Sequence, residues 1–595
     1  MSPLSVAAPN LRRTLSVAED ASASRRKSAG SAPARDKVSA RRVAFSLSEG
    51  FHLCARTVLT PVCEVDMKKG WKNSVELMFF LVFAAQMALA QHPRKAGFVS
   101  RPGVVVPTRG EPWPRPLNQT TGPGLILLDP GTFAFVFVGP PGGCEVADRA
   151  LKRYRDRLLF EGCVSGGRRR ALRGRASISS LLVHLRGPCE RTPQHGMDEA
   201  YSLQLTAASQ PSLSASSVWG LLRGLETFSQ IVYPYDDAKF ALNETVVYDA
   251  PRFEHRGLLI DTSRHFLPLK SIIETLDAMA YNKMNVLHWH VTDDQSFPYV
   301  STTFPTLSEK GAFDPETHVY KPADVQYIID EAAVRGIRIM AEFDTPGHTR
   351  SWGEAFPALL TACYDGHVPN GRLGPVDPTR NESYTFLAHF FAEVARVFPD
   401  QYVHLGGDEV SFLCWMSNPN VTSFMRKMGI PLRFDKLEEY YIQRLLEIIQ
   451  ALRKSYMVWQ EVFDNKVRIA PHTVVHVWKQ PQELELASVT AAGYRALLSA
   501  CWYLDHISYG SDWKKYYICD PHNFPGTPAQ KALVIGGEAC VWGEYVDATN
   551  LISRTWPRAS AAAERLWSPS TVKSTEKAAQ RLEEHRCRML RCWWD

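Results

Sequence analysis

The stretch QYVHLGGDEV, residues 401–410, runs from apolar residues through two glycines into the adjacent carboxylates Asp408 and Glu409. Seven more apolar runs after residue 253 also end in a polar or aromatic side chain. In chain order the eight candidate strands are RGLLIDTSRH, MNVLHWHVTDD, GIRIMAEFDTPGH, QYVHLGGDEV, YMVWQEV, TVVHVWK, RALLSACWYLD and ALVIGGEACVWGE. Most are followed by helical stretches. Strand–helix alternation with apolar strands predicts a parallel sheet, and eight such units predict an α/β fold, a (β/α)8 TIM barrel.

The residues at the carboxyl ends of these strands are the candidate site, because barrel enzymes build their active sites at that face. Each residue alone has an ordinary explanation: a tryptophan as core, a histidine as a satisfied buried group, an aspartate as a helix cap. Eight such ends together are hard to explain by packing. In strand order they are Arg264; His290 and Asp293; Asp344 and His348; Asp408 and Glu409; Trp459 and Glu461; Trp478; Tyr503 and Asp505; Trp542 and Glu544.

Aromatic rings among carboxylates favour a sugar pocket, since flat rings stack on the apolar faces of a pyranose and carboxylates bind its hydroxyls. Glycoside hydrolysis with retention ordinarily uses two carboxylates about 5–5.5 Å apart that flank the bond. Asp408 and Glu409 fit this poorly, because neighbouring Cα atoms are only about 3.8 Å apart and one turn cannot easily address both faces of a sugar. The mismatch is resolved if a 2-acetamido group of the substrate is the nucleophile. Glu409 is then the general acid/base, and Asp408 orients the amide.

From about residue 110 to 590 the chain resembles the lysosomal β-N-acetylhexosaminidases of glycoside hydrolase family 20. The resemblance rests on the motifs GLLIDTSRHFLPL, NVLHWHVTDDQSFPY, AEFDTPGHT, HLGGDEV, MVWQEVFDN and GGEACVWGEYVD. It implies the same roles for Glu409 and Asp408. The other site residues that it implies are Arg264 and Glu544 on the ring hydroxyls, Tyr503 on the acetamido oxygen, Trp459, Trp478 and Trp542 as pocket walls, Asp505 at the pocket, and Asp293, His348, His290 and Asp344 in the polar network.

The function that this resemblance implies is exo-acting, retaining release of terminal N-acetylglucosamine or N-acetylgalactosamine from gangliosides, glycoproteins and glycosaminoglycans. No cofactor and no metal are expected. The expected assembly is a homodimer, or a heterodimer with a related subunit, and a lipid-presenting activator protein is left open as a further partner. The expected location is the lysosome, reached through the secretory pathway.

The family has two related subunit types, one that accepts negatively charged substrates and one that prefers neutral ones, and two short segments of this chain bear on which type it resembles. The loop YDGHVPNGRLGP, residues 364–375, resembles the α-type subunit, which accepts negatively charged substrates. Asp505 followed by His506 instead matches the type that prefers neutral sugars, and a carboxylate there should repel a sulfate or sialate. The resemblance therefore leans towards the α type, with a weakened preference for anionic substrates.

The twelve cysteines are scattered without paired CxxC spacing, which argues against zinc sites and favours disulfides in a secreted chain. The resemblance implies disulfides Cys144–Cys189 and Cys363–Cys414, and leaves Cys163, Cys501 and Cys519 without an assigned partner. The tail of the family continues past Cys587, whereas here Cys592 follows five residues later, so the C-terminus reads as truncated and the partner of Cys587 stays open. Sequons for N-glycosylation lie at Asn118, Asn243, Asn381 and Asn420.

The chain before the barrel is predicted to contain three further segments, two of which precede residue 91. Residues 1–66, rich in Ser, Ala and Arg, are interpreted as a disordered or mispredicted extension, and residues 67–90 as a signal peptide. Residues 91–252 are predicted to form an α+β accessory domain, and residues 253–595 the barrel. The net charge of +6 lies in the leader, because from residue 91 onward there are 55 basic and 55 acidic residues. Nothing in that balance predicts a nucleic-acid partner.

Two other functions are weighed. A metal-dependent barrel hydrolase would use His288 and His290, whose spacing puts both on one strand face, with Asp293, His348 and His404. Against it, the later strands end in aromatic residues and carboxylates rather than in further histidines. A catalytically silent sugar-binding subunit is the second alternative, and the Asp408–Glu409 pair argues against it.

Overall fold

The computed structural model describes residues 108–159, 176–235, 239–506 and 508–591. The predicted N-terminal extension (1–66) and signal peptide (67–90) lie outside these residues, as do Cys163 and Cys592. None of the helices in these ranges combines the length and the hydrophobicity of a membrane-spanning segment.

The N-terminal part of the described chain forms an eight-stranded mixed sheet. Its strands are β1 (Asn118–Leu128), β2 (Ala134–Val138), β3 (Ala176–Ile178), β4 (Ser180–Leu185), β5 (Tyr201–Leu205), β6 (Ser212–Ala215), β7 (Tyr233–Pro234) and β8 (Phe240–Asp249). Seven follow the order β2-β4-β6-β5-β8-β1-β3, and β7 pairs with β8. Burial alternates along β4, β5 and β6, so one face is covered. The helices α1 (Glu145–Arg153) and α2 (Val218–Ile231) share its core, which gives the predicted α+β accessory region.

Ten strands follow, and eight of them close into a barrel. They are β9 (His255–Asp261), β10 (Val286–Thr292), β11 (Arg338–Phe343), β12 (Leu360–Asp365), β13 (Val368–Val376), β14 (Tyr402–His404), β15 (Ser455–Trp459), β16 (Val474–Val477), β17 (Arg495–Leu498) and β18 (Val534–Val541). β12 and β13 form a separate antiparallel hairpin. The others are parallel neighbours in the order β9-β10-β11-β14-β15-β16-β17-β18, and β18 pairs back with β9. The predicted TIM barrel is confirmed.

Helices cover the outside of the barrel and complete the loops at its ends. They are α3 (Leu269–Tyr281), α4 (Thr306–Gly311), α5 (Pro322–Ala333), α6 (Arg350–Ala355), α7 (Asn381–Val397), α8 (Leu413–Ser417), α9 (Pro419–Lys427), α10 (Phe434–Ala451), α11 (Gln460–Asp464), α12 (Gln482–Ala491), α13 (Trp513–Ile518), α14 (Pro528–Ala532), α15 (Leu551–Thr555), α16 (Arg558–Trp567) and α17 (Thr575–Arg591). The longest, α10, buries Leu437, Tyr441, Leu445 and Ile449 at intervals of four residues. That spacing gives a helix one apolar face, which packs on the strands.

Buried ion pairs connect the accessory sheet to the barrel. The carboxylate of Glu199, which precedes β5, accepts hydrogen bonds from the guanidinium groups of Arg223 at 2.8 Å and of Arg256 in β9 at 2.6 Å. Asp249, the last residue of β8, lies 2.9 Å from Lys283. Removing one partner of such a pair would leave an uncompensated buried charge, so these contacts fix how the sheet meets the barrel.

Three disulfides join described residues. Two are the pairs implied by the family resemblance, Cys144–Cys189 and Cys363–Cys414. The third, Cys501–Cys519, joins two cysteines to which the sequence assigned no partner. Cys540 and Cys587 carry free thiols in the described part of the chain.

Candidate active site

Side chains from all eight barrel strands meet at the carboxyl end of the barrel, and they divide by chain order. The first four strands supply ionisable groups, here called the charged half: Arg264, Asp293, Asp344, His348, Asp408 and Glu409. The last four strands supply rings, here called the aromatic half: Trp459, Trp478, Tyr503 and Trp542. The structure therefore brings these predicted residues together around the carboxyl end of the barrel, here called the pocket.

Arg264 is held by two carboxylates at the edge of this pocket. Its guanidinium lies 3.0 Å from Asp261 at the end of β9 and 2.7 Å from Asp293. Burial alone would lower the pKa of Arg264, but Asp261, Asp293 and Glu544 raise it above its usual value. The guanidinium also lies over the ring of Trp542, 5.2 Å from its centroid, which fixes its orientation.

Asp293 links two histidines of the charged half. Its two carboxylate oxygens lie 2.9 Å from His290 Nε2 and 3.1 Å from His348 Nδ1. Although burial raises the pKa of Asp293, hydrogen bonds from both rings hold it well below its usual range. The pKa of His348 is raised to about 9, because the hydrogen bond to Asp293 and the charge of Asp408 outweigh burial. His348 is therefore a cation that faces the catalytic candidates.

Asp344 and Asp408 form a buried acid pair. Burial and the charges of Asp408 and Glu342 raise the pKa of Asp344 well above its usual value, and its side chain is hydrogen-bonded to Asp408. The backbone N–H of Gly407 donates to Asp344 Oδ1 at 2.8 Å. Gly406 and Gly407 have positive φ angles of 69° and 95°, and a Cβ on Gly406 would overlap the Asp344 carboxyl. The two glycines after β14 thus let the chain pass close to Asp344.

Glu409 has a different environment from its neighbour. Its side chain is 59% exposed, whereas that of Asp408 is 11% exposed. Its backbone is left-handed, with φ of 50°, an uncommon conformation for a residue other than glycine. His348 Nε2 lies 3.8 Å from Glu409 and 3.7 Å from Asp408. The strained turn therefore turns one carboxylate inward and leaves the other at the mouth of the pocket, on either side of one imidazolium.

The aromatic half forms a continuous wall. Trp478 stacks with Tyr503 at a centroid distance of 6.1 Å, and Trp459 and Trp542 lie 6.0 Å apart. Two indole N–H groups are fixed by carboxylates: Trp459 donates to Glu342 at 2.8 Å, and Trp478 to Glu461 at 2.9 Å. Ring orientation is thereby set by hydrogen bonds as well as by packing.

Two further carboxylates complete the rim. Asp505 follows β17, with a side chain 14% exposed and with Oδ1 lacking a hydrogen-bond partner. Burial raises the pKa of Asp505, and the charge of Glu544 adds to the shift. Glu544 follows β18, is exposed, and acts on Arg264 through its charge.

Beneath the pocket, the barrel interior holds a charged histidine between two glutamates. His288 lies 2.8 Å from Glu538 and 3.0 Å from Glu342, and these charges raise its pKa to about 9 despite burial. His290 is placed in the same way between Glu342 and Asp293, with a pKa raised to about 10. A protonated imidazole donates from both ring nitrogens, which matches the placement of His288 and His290 between carboxylates.

Glu342 and Asp261 belong to the site but were not predicted as functional residues. Glu342 receives contacts from His290, His404 and Trp459. Residues i and i+2 of a strand point to the same side. That rule puts Glu342 in line with Asp344, the signal that could have identified it. Glu461 stood at a strand end in the sequence, but only the structure shows its bond to Trp478.

Four sequence-predicted glycosylation sites lie in the described part of the chain. Asn118, Asn381 and Asn420 are exposed. Asn243 is half-buried in β8, and its side chain accepts from the Tyr233 hydroxyl at 2.9 Å. Occupancy of these sequons stays a prediction.

Comparison with known proteins places this geometry in a family. The family model described as glycosyl hydrolase family 20, catalytic domain, matches residues 253–570, and a model described as beta-acetyl hexosaminidase like matches residues 112–231. Beta-hexosaminidase subunit alpha of Bos taurus is 51% identical over 487 residues, 80% of this chain and 92% of that protein. Beta-hexosaminidase subunit beta of Mus musculus is 52% identical over 498 residues, 82% of this chain and 92% of that protein. These identities do not distinguish the subunit types, so the α-type leaning is not resolved.

Solved structures share the fold. The chitobiase of Flavobacterium johnsoniae matches with a TM-score of 0.70 and 28% identity, over 81% of this chain and 72% of that one. The N-acetyl-beta-hexosaminidase of Streptomyces plicatus matches with a TM-score of 0.65 and 22% identity, over 82% of this chain and 97% of that one, and is evidence for the fold alone. With the family model and both relatives covering this site, the chain belongs to glycosyl hydrolase family 20 and is a glycoside hydrolase.

Proposed function

We propose that this protein is an exo-acting, retaining β-N-acetylhexosaminidase that uses the 2-acetamido group of its substrate as the nucleophile. The observation that carries the proposal is the split environment of two adjacent carboxylates. Asp408 is buried against Asp344, whose pKa is raised well above its usual value, whereas Glu409 reaches the mouth of the pocket. Adjacent residues on one turn are poorly placed as the usual flanking pair, but they suit an amide-orienting group beside an acid.

The reaction has two steps with Glu409 acting in both. In the first, Glu409 donates its proton to the glycosidic oxygen while the acetamido carbonyl oxygen attacks the anomeric carbon, which breaks the glycosidic bond and forms an oxazolinium ion. Asp408 accepts a hydrogen bond from the amide N–H and stabilises the positive charge of the oxazolinium ion. In the second, Glu409 removes a proton from water as the water opens the oxazolinium, which restores the acetamido group and retains the anomeric configuration.

The remaining residues bind the terminal sugar. Arg264 and Glu544 bind hydroxyl groups of the sugar ring, and Tyr503 donates a hydrogen bond to the acetamido oxygen. The side chains of the aromatic half pack on the faces of the sugar ring. In support, Arg264 is already oriented by Asp261 and Asp293, and the Tyr503 ring is stacked on Trp478. Such preorganised groups lose little freedom when substrate binds. His348, Asp293 and His290 keep a positive charge beside the two carboxylates.

The proposed substrates are glycoconjugates that end in a β-linked N-acetylhexosamine: gangliosides, glycoproteins and glycosaminoglycans. The relatives are named as subunits, in support of assembly into a homodimer or a heterodimer with a related chain. We place the enzyme in the lysosome, reached through a signal peptide at 67–90, and a lipid-presenting activator protein belongs to the same proposal. Colocalisation of the full chain with a lysosomal marker is the expected result, and a cytosolic distribution would contradict it.

Asp505 bears on the subunit type. Its carboxylate lies at the rim of the pocket, where a negative charge opposes a sulfated or sialylated sugar. We expect kcat/KM for a 6-sulfated N-acetylglucosaminide to be no higher than for the plain sugar. A strong preference for the sulfated substrate would overturn this part of the proposal.

The test of the function is release of N-acetylglucosamine from a nitrophenyl N-acetyl-β-glucosaminide at acid pH, with the wild type beside Glu409→Gln. Loss of a general acid should lower kcat by about 10²–10⁴-fold. Glu382→Gln, an exposed carboxylate on α7, is the matched control and should keep full activity. A folded wild type that binds N-acetylglucosamine without hydrolysing the substrate would instead support the silent sugar-binding alternative.

A further inference from the structure

An exposed apolar surface lies on α8 and on the loop that joins α9 to α10. Leu413 of α8 is 73% exposed and Leu432 of the loop is 79% exposed, although leucine is among the residue types most often buried. Met416, one helical turn after Leu413, and Met428, at the start of the loop, are about half exposed. These four side chains are here called the apolar rim. Apolar side chains that are exposed together mark sites of interaction more often than leucines exposed singly.

Stacked aromatic rings bring the two parts of the rim together. Phe412, directly before Leu413, stacks on Phe434, which follows the loop as the first residue of α10, with a centroid distance of 6.0 Å. A helix that joins two parallel strands runs back from the carboxyl end of the first strand, so α10 begins at the face that holds the pocket. Leu413 also lines a cavity that Glu409 borders. The apolar rim is therefore one surface beside the mouth of the pocket.

The rim rests on a rigid platform. Beneath it lies a hydrophobic core of its own, made of Trp415, Val421, Met425, Phe434 and Leu437. In the loop, Leu432 has a left-handed backbone with φ of 59°, which is unfavourable for a bulky side chain. Strain of this kind persists only where the surrounding structure holds it, and it clusters at functional sites. The platform thus imposes the exposure of Leu432.

Two basic side chains beside the rim carry charge without a partner. Arg426 and Lys427 end α9, are exposed, and make no ion pair within the part of the chain that the structure describes. The nearest half-buried carboxylates along the chain, Asp435 and Glu439, each lie 2.6 Å from another basic group. A glycan on Asn420 would start at the other end of α9, about 10 Å away along the helix. The rim therefore has a positive edge.

The chemistry of this surface favours an anionic lipid bilayer over a protein. Elements that lie in a membrane interface combine apolar side chains, which enter the boundary of the acyl chains, with Lys and Arg, which meet the lipid phosphates. Protein interfaces instead concentrate their binding energy in Trp, Tyr and Arg, and Lys is depleted in them. The rim consists of aliphatic leucine and methionine side chains beside an unpaired Arg and Lys, which is the first combination.

We propose that the apolar rim, together with Arg426 and Lys427, is a docking surface for an anionic lipid bilayer. The leucine and methionine side chains enter the boundary between headgroups and acyl chains, and the two basic side chains bind lipid phosphates. Because the rim adjoins the mouth of the pocket, the docked protein holds Glu409 next to the lipid surface. The inference goes beyond the proposed function, since it concerns binding and does not depend on cleavage of a sugar.

Cosedimentation with unilamellar vesicles measures this docking. The wild-type protein is mixed at acid pH with vesicles of phosphatidylcholine alone, or of phosphatidylcholine with phosphatidylglycerol, whose headgroup is anionic. We expect binding to the mixed vesicles that weakens as the salt concentration rises, because salt screens the attraction of the basic side chains to the headgroups. Binding to phosphatidylcholine alone should be much weaker.

Two changes separate the apolar contribution from the ionic one. Leu432→Asn removes the apolar side chain and suits the left-handed backbone, in which Asn is enriched, so the loop should keep its fold. It should lower the partition coefficient on the mixed vesicles by about tenfold. Arg426→Gln combined with Lys427→Gln should lower it by about thirtyfold, since each basic side chain near an anionic surface strengthens binding severalfold. Leu484→Asn, at an exposed leucine of α12, is the matched control and should bind as the wild type does.

A wild type that fails to bind the mixed vesicles would overturn the inference, and so would unchanged binding in the folded Leu432→Asn and double variants. If Leu432→Asn changes the oligomeric state in size-exclusion chromatography but not the vesicle binding, the rim is a protein interface and the inference is wrong. Each variant should hydrolyse the soluble nitrophenyl N-acetyl-β-glucosaminide at the wild-type rate, because these side chains lie outside the charged and aromatic halves. A wild type that binds vesicles but hydrolyses nothing would contradict the proposed function and leave the docking surface intact.

Discussion

The charged half and the aromatic half of the pocket are built by the same barrel but held by different forces. In the charged half, Asp293 and His348 owe their protonation states to each other and to neighbours from other strands. In the aromatic half, Trp459 and Trp478 are held by packing and by one hydrogen bond each. The arrangement of the charged half therefore depends on protonation states and hence on pH, whereas the arrangement of the aromatic half depends on how its rings pack. Changes in the first should therefore alter kcat, and changes in the second KM.

The largest effect is expected at the acid pair. Asp344→Ala removes the hydrogen-bond donor to Asp408, and loss of one such preorganised donor lowers kcat by about 10²–10³-fold. Asp344→Asn keeps an amide donor for Asp408 and an acceptor for the Gly407 N–H, as a protonated carboxyl does. Its kcat should remain within about threefold of the wild type.

Steady-state kinetics of the two Asp344 variants at acid pH test this comparison. Equal losses in the two variants would show that Asp344 acts as an anion rather than as a neutral donor. Thermal unfolding of both variants serves as the control for folding.

The second effect is on stability. The pKa values of His288, His290 and His348 are raised to about 9, 10 and 9, since neighbouring carboxylates outweigh burial. A raised pKa means that the stabilisation is complete below the unfolded value of about 6.5 and is lost as pH rises through the folded value. The free energy of unfolding should fall between pH 6.5 and 9.5, by an amount on the order of 3 kcal/mol for each of these histidines.

Denaturant unfolding at pH 6.5 and at pH 9.5 measures that change. His404 and His476 have pKa values that burial lowers, so they stay neutral in the folded state, and their titration in the unfolded state near pH 6.5 changes stability only slightly and in the opposite direction. His288→Gln should reduce the pH dependence. A free energy of unfolding that is flat or rises across the window would contradict the charge assignment in the barrel interior.

The smallest effects are expected in the aromatic half. Trp478→Ala should raise KM about tenfold with little change in kcat, because one stacking surface is lost in ground and transition states alike. Glu461→Gln keeps an acceptor for the Trp478 indole N–H, so its KM should change by about twofold at most. A large loss of kcat in Trp478→Ala would remove the distinction between the two halves.

Much of the site could be predicted because parallel strands of a barrel must end on the same face. Arg264, Asp408 and Trp542 lie far apart in the chain, yet each follows an apolar strand, and that pattern alone brought them together. The Cys501–Cys519 disulfide was not predictable in this way. Its cysteines belong to a long loop after β17, whose path no local pattern specifies.

The sequence by itself determined the barrel, the ring of strand ends and the identity of the two central carboxylates, because strand periodicity and side-chain chemistry are local properties. The tertiary structure alone decided which groups carry charge. The pKa of Asp344 is raised because burial and the charge of Asp408 oppose its ionisation, and the pKa of His288 is raised because Glu342 and Glu538 approach it from other strands. It also brought α8 and the loop before α10 to one surface, through the stacking of Phe412 on Phe434. Desolvation and Coulomb interaction act through space, between residues that no sequence window contains together.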